Sequence, residues 1–179
     1  MGKISVNVTN ATPDQPGWGA LYYQYLEKTD RVTASQAPLR VDRQVSLERT
    51  TASGKELVPV AGDTPLKVGD KVVVRMTVRV DEDLDYVHLK DVRASCMEPL
   101  QVLSGYHRES GSGYYQTVTD AAVHFYFSRL AKGTYVFTYP AYITQAGTFT
   151  GGLTTVECMY APEFTAHSSG TTLSVAALK

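Results

Sequence analysis

The stretch from Asp120 to Phe164 constrains the fold more than any other. Val123, Phe125 and Phe127 recur at every second position, with His124 and Tyr126 between them. Side chains alternate between two faces only along an extended strand, so this spacing makes one apolar face and one mixed face. Tyr135, Phe137, Tyr139, Ala141 and Ile143 repeat the pattern a few residues on. Lys132-Gly133 between the two runs reads as a tight turn, because glycine admits the positive φ that hairpin turns use. The expectation is one large hairpin at the centre of a β domain. Pro140 has no N–H to give to a ladder, which places it at an edge or a bulge.

The same period runs through the rest of the chain. Val72, Val74, Met76, Val78 and Val80 share a face, with Lys71, Arg75, Thr77 and Arg79 on the other. That is the pattern of a half-buried antiparallel strand. Val41, Val45 and Leu47 point inward on an earlier strand, and Val87 and Leu89 stand opposite Tyr86, His88 and Lys90 on a later one. Ile4–Thr9 and Ala20–Leu26 read as two strands ahead of these, and Thr171–Ala176 closes the chain with Leu173 and Val175. Between them, Thr50 to Asp63 reads as a turn-rich connection. Ala94–Ser104 reads as an irregular segment, and Gly105 to Gln116 as a glycine-serine loop flanked by aromatics. Roughly eight or nine strands, with turn signals about every ten residues, indicate an antiparallel sandwich. Its predicted core is Val72, Val74, Met76, Val78, Leu89, Phe125, Phe127, Phe137 and Tyr139.

A chain of 179 residues suits one domain with a smaller attached piece. Its formal net charge is −1 and it has no block of Lys or Arg, which argues against nucleic acid or an anionic membrane as partner. No apolar stretch is long enough to insert into a bilayer. The N-terminus has no charged start followed by an apolar run, so no signal peptide is read there. Because the chain opens directly in a strand pattern, it reads as a fragment of something longer. The polar segment Glu27 to Leu39, ending in Ala37-Pro38, divides residues 1–38, a tail and linker, from a domain proper at 39–179. Cys96 and Cys158 are compatible with a disulfide or with two buried thiols.

Few residues suggest chemistry. His88, Cys96, His107, His124, Cys158 and His167 lack metal-ligand spacing, so no metal site is predicted. No nucleophile elbow, metalloprotease helix or phosphate-binding glycine loop occurs, and neither catalysis nor a cofactor is expected. Asp81, Glu82, Asp83 and Asp85 read as a solvated turn rather than a Ca²⁺ loop. Glu98 and Glu157 are too ordinary a pair to mark a glycosidase. Asn7 and Asn10 head glycosylation-type triplets.

Two aromatic groups remain. Tyr106, His107, Tyr114 and Tyr115 surround Gly111-Ser112-Gly113, either as a ligand loop or as a cap on the core. Trp18, Tyr22, Tyr23 and Tyr25 form a candidate interaction surface, since two N-terminal strands without partners would expose them. Self-association through residues 1–30 would follow.

Three segments in order resemble a known family: LKVGDKVVVRMTVRV, YVHLKDVRASCMEPL, and LAKGTYVFTYP followed by AGTFTGGLTTVECMYAPEF. The chain from about Leu39 onward is similar to the C-terminal macroglobulin-like domain of bacterial α2-macroglobulins. The corresponding motifs are Val68-Gly69-Asp70, Leu130 with Gly133-Thr134-Tyr135, and Met159-Tyr160-Ala161-Pro162-Glu163. The resemblance implies an all-β fold, an Ig-like antiparallel β-sandwich of about seven strands, preceded by a β segment from the neighbouring domain. It implies a large protease trap as parent, periplasmic or at the cell surface and membrane-anchored. The domain would be structural or regulatory there, packing on the thioester region and on other domains, with proteases as targets of the parent. The thioester itself is not in this chain, because Cys96-Met97-Glu98-Pro99 carries Pro where Gln is required. The alternative is a stand-alone adhesion or carbohydrate-binding module using Tyr106 to Tyr115.

Overall fold

The structure, a computed structural model, describes residues 5, 19, 24–36, 38–61 and 64–177. Among them, strands form three sheets. The five-stranded sheet runs β2 (Gly54–Pro59), β1 (Leu39–Thr51), β4 (Lys71–Val80), β10 (Gly133–Ile143) and β6 (Met97–Pro99). The six-stranded sheet runs β13 (Ala161–His167), β12 (Thr154–Cys158), β5 (Leu84–Val92), β9 (Ala122–Leu130), β8 (Ser112–Val118) and β7 (Gly105–Glu109). A small third sheet joins β11 (Gly147–Gly151), β14 (Thr171–Ala176) and β3 (Leu66–Lys67). All pairings are antiparallel except that of β14 with β3. The chain is an all-β sandwich.

Its core is the apolar phase of each strand. Val72, Val74, Met76, Val78 and Val80 on β4 are buried, as are Val87 and Leu89 on β5 and Val123, Phe125 and Phe127 on β9. Every residue of the predicted core is buried. The two large sheets meet through rings. Phe137 of β10 lies 5.0 Å from Phe127 and 5.9 Å from Phe125, centroid to centroid. These are the tilted contacts that aromatic quadrupoles favour.

Those contacts overturn the central hairpin. β9 and β10 are consecutive, yet they pair with different strands: β9 with β5 and β8, β10 with β4 and β6. The short connection after Leu130 carries the chain across the sandwich, so the two aromatic faces look at each other. Both strands have a strongly apolar face, and a side-by-side hairpin would leave those faces to find other cover. Gly133 accordingly does not adopt the left-handed conformation of a hairpin turn. The Pro140 expectation agrees with the pairing. Its carbonyl accepts from Leu100 N–H at 3.1 Å, and its ring nitrogen faces the same side, just past the three residues that pair with β6.

Three connections turn out to be strands. Thr50 to Asp63 contains β2, which pairs with β1 as an edge strand and is almost wholly exposed, so it shows no hydrophobic alternation. Ala94–Ser104 contains the three-residue β6. Gly105 to Gln116 is a hairpin, not a loop: β7 and β8 pair around Ser110 and Gly111, both with positive φ, as a two-residue primed turn demands.

Of the N-terminal strand expectations, Ile4 and the stretches 6–9 and 20–23 lie outside the described residues, as do Asn7 and Asn10. Gln24, Tyr25 and Leu26 carry no strand. The predicted linker is docked on the sandwich instead. After a 3₁₀ turn at Thr29–Arg31, Ser35 and His167 exchange backbone hydrogen bonds, and Gly170 N–H donates to Val32 O at 2.9 Å. Gly170 is needed there, since a Cβ would come within 1.8 Å of Thr29 O.

Candidate functional site

Residues of the six-stranded sheet that point away from the core line up across strands. Tyr106 on β7 pairs with Tyr115 on β8, and Tyr115 with Tyr126 on β9. Tyr126 pairs with His88 on β5, and His88 with Glu157 on β12. One row of side chains therefore crosses five strands. Its rings touch: Tyr106 and Tyr115 meet edge to face at 4.9 Å, and His88 stacks on Tyr126 at 4.7 Å with an interplanar angle of 3°. Directly opposed side chains of neighbouring strands interact in this way wherever a sheet face carries aromatics.

Beside the row, Tyr86 of β5 and Tyr160 of the β12–β13 turn make an edge-to-face pair at 5.2 Å. Tyr160 is 78% exposed and Met159 before it 55% exposed. Tyr86 has φ of 54°, a left-handed conformation unfavourable for a bulky residue, and its carbonyl accepts from Met159 N–H at 2.9 Å. Tyr86, Tyr106, Tyr115, Tyr126, Ser128 and Met159 line a groove of about 540 Å³.

The predicted ligand loop is split by its strands. Tyr106 and Tyr115 join the outer row, whereas Tyr114 turns into the core against Phe125, Phe127 and Phe137. Its hydroxyl donates to the Glu109 carboxylate at 3.2 Å, and burial with that charge pushes the phenol well above its usual range. His107 stacks on Tyr114 at 5.7 Å, on the edge strand. Of the predicted N-terminal surface, Trp18, Tyr22 and Tyr23 lie outside the described residues. Tyr25 is 65% exposed and lines a separate hollow with Val32, Ser35 and His167.

The scattered histidines are partly brought together. His88 Nε2 lies 3.0 Å from His124 Nδ1, and His88 Nδ1 lies 3.1 Å from Glu157 Oε1. Burial lowers the His124 pKa below 6.5, with His88, Lys90 and Arg93 adding to the effect. Among the described residues no three His, Cys, Asp or Glu side chains converge as a metal cluster. Asp83 of the acidic turn is used for structure. It accepts from Lys132 N–H and from Arg129, which together hold it below the usual carboxylate range. Glu98 and Glu157 lie on strands of different sheets. Cys96 and Cys158 are separate buried thiols, and Cys158 Sγ donates to Asp85 O at 3.2 Å.

A second polar cluster was not anticipated. Arg43 of β1 and Asp91 of β5 meet between the sheets, Nε to Oδ1, at 2.7 Å. Asp91 also accepts from the hydroxyls of Tyr139 and Thr154. Burial alone would lower the Arg43 pKa, but Asp91 and Tyr139 outweigh it and leave the guanidinium raised. Arg93 donates Nη2 to the carbonyls of Thr119 and Asp120, while Nε and Nη1 are buried without a protein partner. The available signal was phase: Arg43 and Asp91 occupy inward positions between Val41 and Val45 and after Leu89.

The family model described as the bacterial alpha-2-macroglobulin MG10 domain matches residues 39–163. The chain belongs to that family. The match ends on the Met159–Glu163 motif, and it begins where β1 begins. Solved structures with the same fold include Salmonella alpha-2-macroglobulin reacted with methylamine. It is 20% identical with a TM-score of 0.66, over 82% of this chain and 10% of that one. A mutant of the Salmonella protein gives 18% and 0.65, again over 82% and 10% of the two chains. Escherichia coli alpha-2-macroglobulin activated by porcine elastase gives 18% and 0.64, over 80% and 14%. The MG10 chain thus spans a domain-sized part of these much longer proteins. No curated protein sequence matches it.

Proposed function

We propose that this MG10 domain is a non-catalytic packing module of an alpha-2-macroglobulin-like protease trap. Through the outer face of its six-stranded sheet it contacts another domain of its own parent chain, the thioester-bearing region before activation. The observation that carries this reading is Tyr86, whose exposed ring pairs with Tyr160 on a backbone that costs about 1–3 kcal/mol to hold. Strain of that kind persists where surrounding structure and function require it. The continuous patch from Tyr106 to Tyr160 supports it too, because contiguous exposed aromatics and Met mark interaction surfaces. A partner in the same chain suits a domain that spans 10–14% of the proteins it resembles.

On this reading the parent acts on proteases in the periplasm or at the cell surface, anchored to a membrane. The test uses the full reading frame containing this chain. Tyr86→Ala and Tyr160→Ala should loosen the unactivated protein, read as faster limited proteolysis and altered protease inhibition, with the MG10 fold intact by circular dichroism. Unchanged proteolysis and inhibition in both variants would remove the proposed contact. Glycan binding by the chain alone, lost in Tyr106→Ala and Tyr115→Ala, would instead establish the carbohydrate-binding alternative.

A further inference from the structure

We infer that Glu157, His88 and His124 form a proton-operated latch on the outer face, shut while one proton bridges the two rings and released when both rings are charged. The latch rests on the outer-face contact proposed above and regulates it. His88 Nε2 and His124 Nδ1 stand 3.0 Å apart, with ring planes 1° apart and centroids 5.3 Å apart. That centroid separation matches the N–N distance plus the two centroid-to-nitrogen radii, so the two nitrogens point straight at each other. A bond of this shape holds one proton, whichever ring owns it. On its other side, His88 Nδ1 faces Glu157 Oε1 at 3.1 Å. The three side chains make one line of hydrogen bonds across β9, β5 and β12.

The line has two shut forms. In the neutral form, His88 donates from Nδ1 to Glu157 and accepts at Nε2 from the Nδ1–H of His124. With one proton added from solvent, His88 donates from both nitrogens, to Glu157 and to Nδ1 of His124, while His124 carries its own proton on Nε2. A second added proton has to take the remaining lone pair, at His124 Nδ1, and it sets N–H against N–H. The bond breaks, and the two rings part.

The surrounding charges fix the direction of the effect. On β5, Lys90 shares the outer face with His88, and Arg93 follows the strand. Burial, then His88, Lys90 and Arg93, oppose a charge on His124. β9 adds Tyr126, and β8 sets Thr117 opposite His124 and Tyr115 opposite Tyr126. β12 contributes Thr155 and Glu157, which β13 meets with His167 and Thr165. When both rings are charged, they join Lys90 and Arg93, and the Glu157 carboxylate is already engaged by His88. Charge without a partner is costly to enclose against another domain. A domain seated on the row from Tyr106 to Glu157 is therefore held at neutral pH and let go in acid. Tyr126 carries the change into the row, since its ring stacks on His88 at 4.7 Å.

The test has two arms. In the chain itself, with histidines labelled with nitrogen-15, NMR should show a downfield proton coupled to both rings at neutral pH. That signal should be lost as pH falls below about 6.5 and be absent throughout in His88→Gln. In the full reading frame, limited proteolysis of the unactivated protein is measured from about pH 7.5 to about pH 5.5, with rates corrected against a peptide substrate. Wild type should be cut faster in acid, by at most about ten-fold per pH unit for one proton. His124→Gln cannot take up the second proton and should show no such rise, whereas His107→Gln with His167→Gln should keep it. The latch is refuted if the bridging signal persists where both rings are charged, or if wild type and His124→Gln accelerate alike. Unchanged proteolysis in Tyr86→Ala and Tyr160→Ala, with the bridging signal lost in acid as stated, would overturn the contact and the regulatory role while leaving the proton bridge established.

Discussion

Arg43 Nε and Asp91 Oδ1 meet at 2.7 Å between two sheets, with side chains 1% and 0% exposed. The pair ties β1 of one sheet to β5 of the other. Asp91 is satisfied by Tyr139 and Thr154 as well, so each of its oxygens has two donors. Removing one partner leaves the other charged, buried and unpaired. Asp91→Ala should therefore destabilise the domain by ~3–5 kcal/mol in denaturant unfolding. Replacing both residues with apolar side chains of similar volume should cost much less than the two single losses combined. An additive double-mutant cycle would show that the pair is not coupled.

Phe137 is the ring where the sheets meet, touching Phe125, Phe127 and Tyr114. Phe137→Ala should cost about 3–5 kcal/mol, the usual penalty for emptying a buried aromatic site. Tyr115→Ala, on the outer row, should cost well under half of that, because its ring is already partly in water. Equal losses at the two positions would contradict the assignment of faces.

His124 gives the domain an acid-sensitive stability. Its pKa is depressed below 6.5 in the fold, so over the interval up to that value the unfolded chain binds more protons. Stability then rises with pH through that interval and is lost as pH falls through it. Between about pH 7.5 and about pH 5.5, wild type should lose more stability than His124→Gln. Parallel pH profiles for the two proteins would refute this.

The segment before β1 is held by close contact rather than by core side chains. Gly170→Ala would drive a Cβ into Thr29 O, so residues 28–35 should detach and Lys28 and Arg31 become readily cut by trypsin. Among the described residues no core side chain precedes Leu39. Deleting residues 1–35 should accordingly leave a folded domain with nearly the original melting temperature. If residues 1–30 also drive self-association, the deleted form should sediment more completely as monomer than the full chain. Global unfolding on deletion would show instead that the N-terminus is an integral part of the sandwich.

The strands and their inward faces were legible because the period of a strand is written in side chains. Val72 to Val80, Phe125 with Phe127, and Phe137 with Tyr139 are buried where alternation placed them. Edge strands such as β2 were not legible, since an exposed strand has no apolar phase to show. The Met159–Glu163 motif was visible, and it is the end of the family match.

Which strand pairs with which was beyond the sequence. β9 and β10 look like the two arms of a hairpin, but alternation states only that each has an apolar face, not whether those faces lie side by side or opposed. Burial of the Phe125, Phe127 and Phe137 rings decided for opposition. The same holds for the site. Tyr106, Tyr115, Tyr126, His88 and Glu157 are spread through the sequence from position 88 to position 157, and only register across five strands makes them one row. Local pattern is fixed by covalent geometry, whereas pairing between distant segments is chosen by the whole core at once.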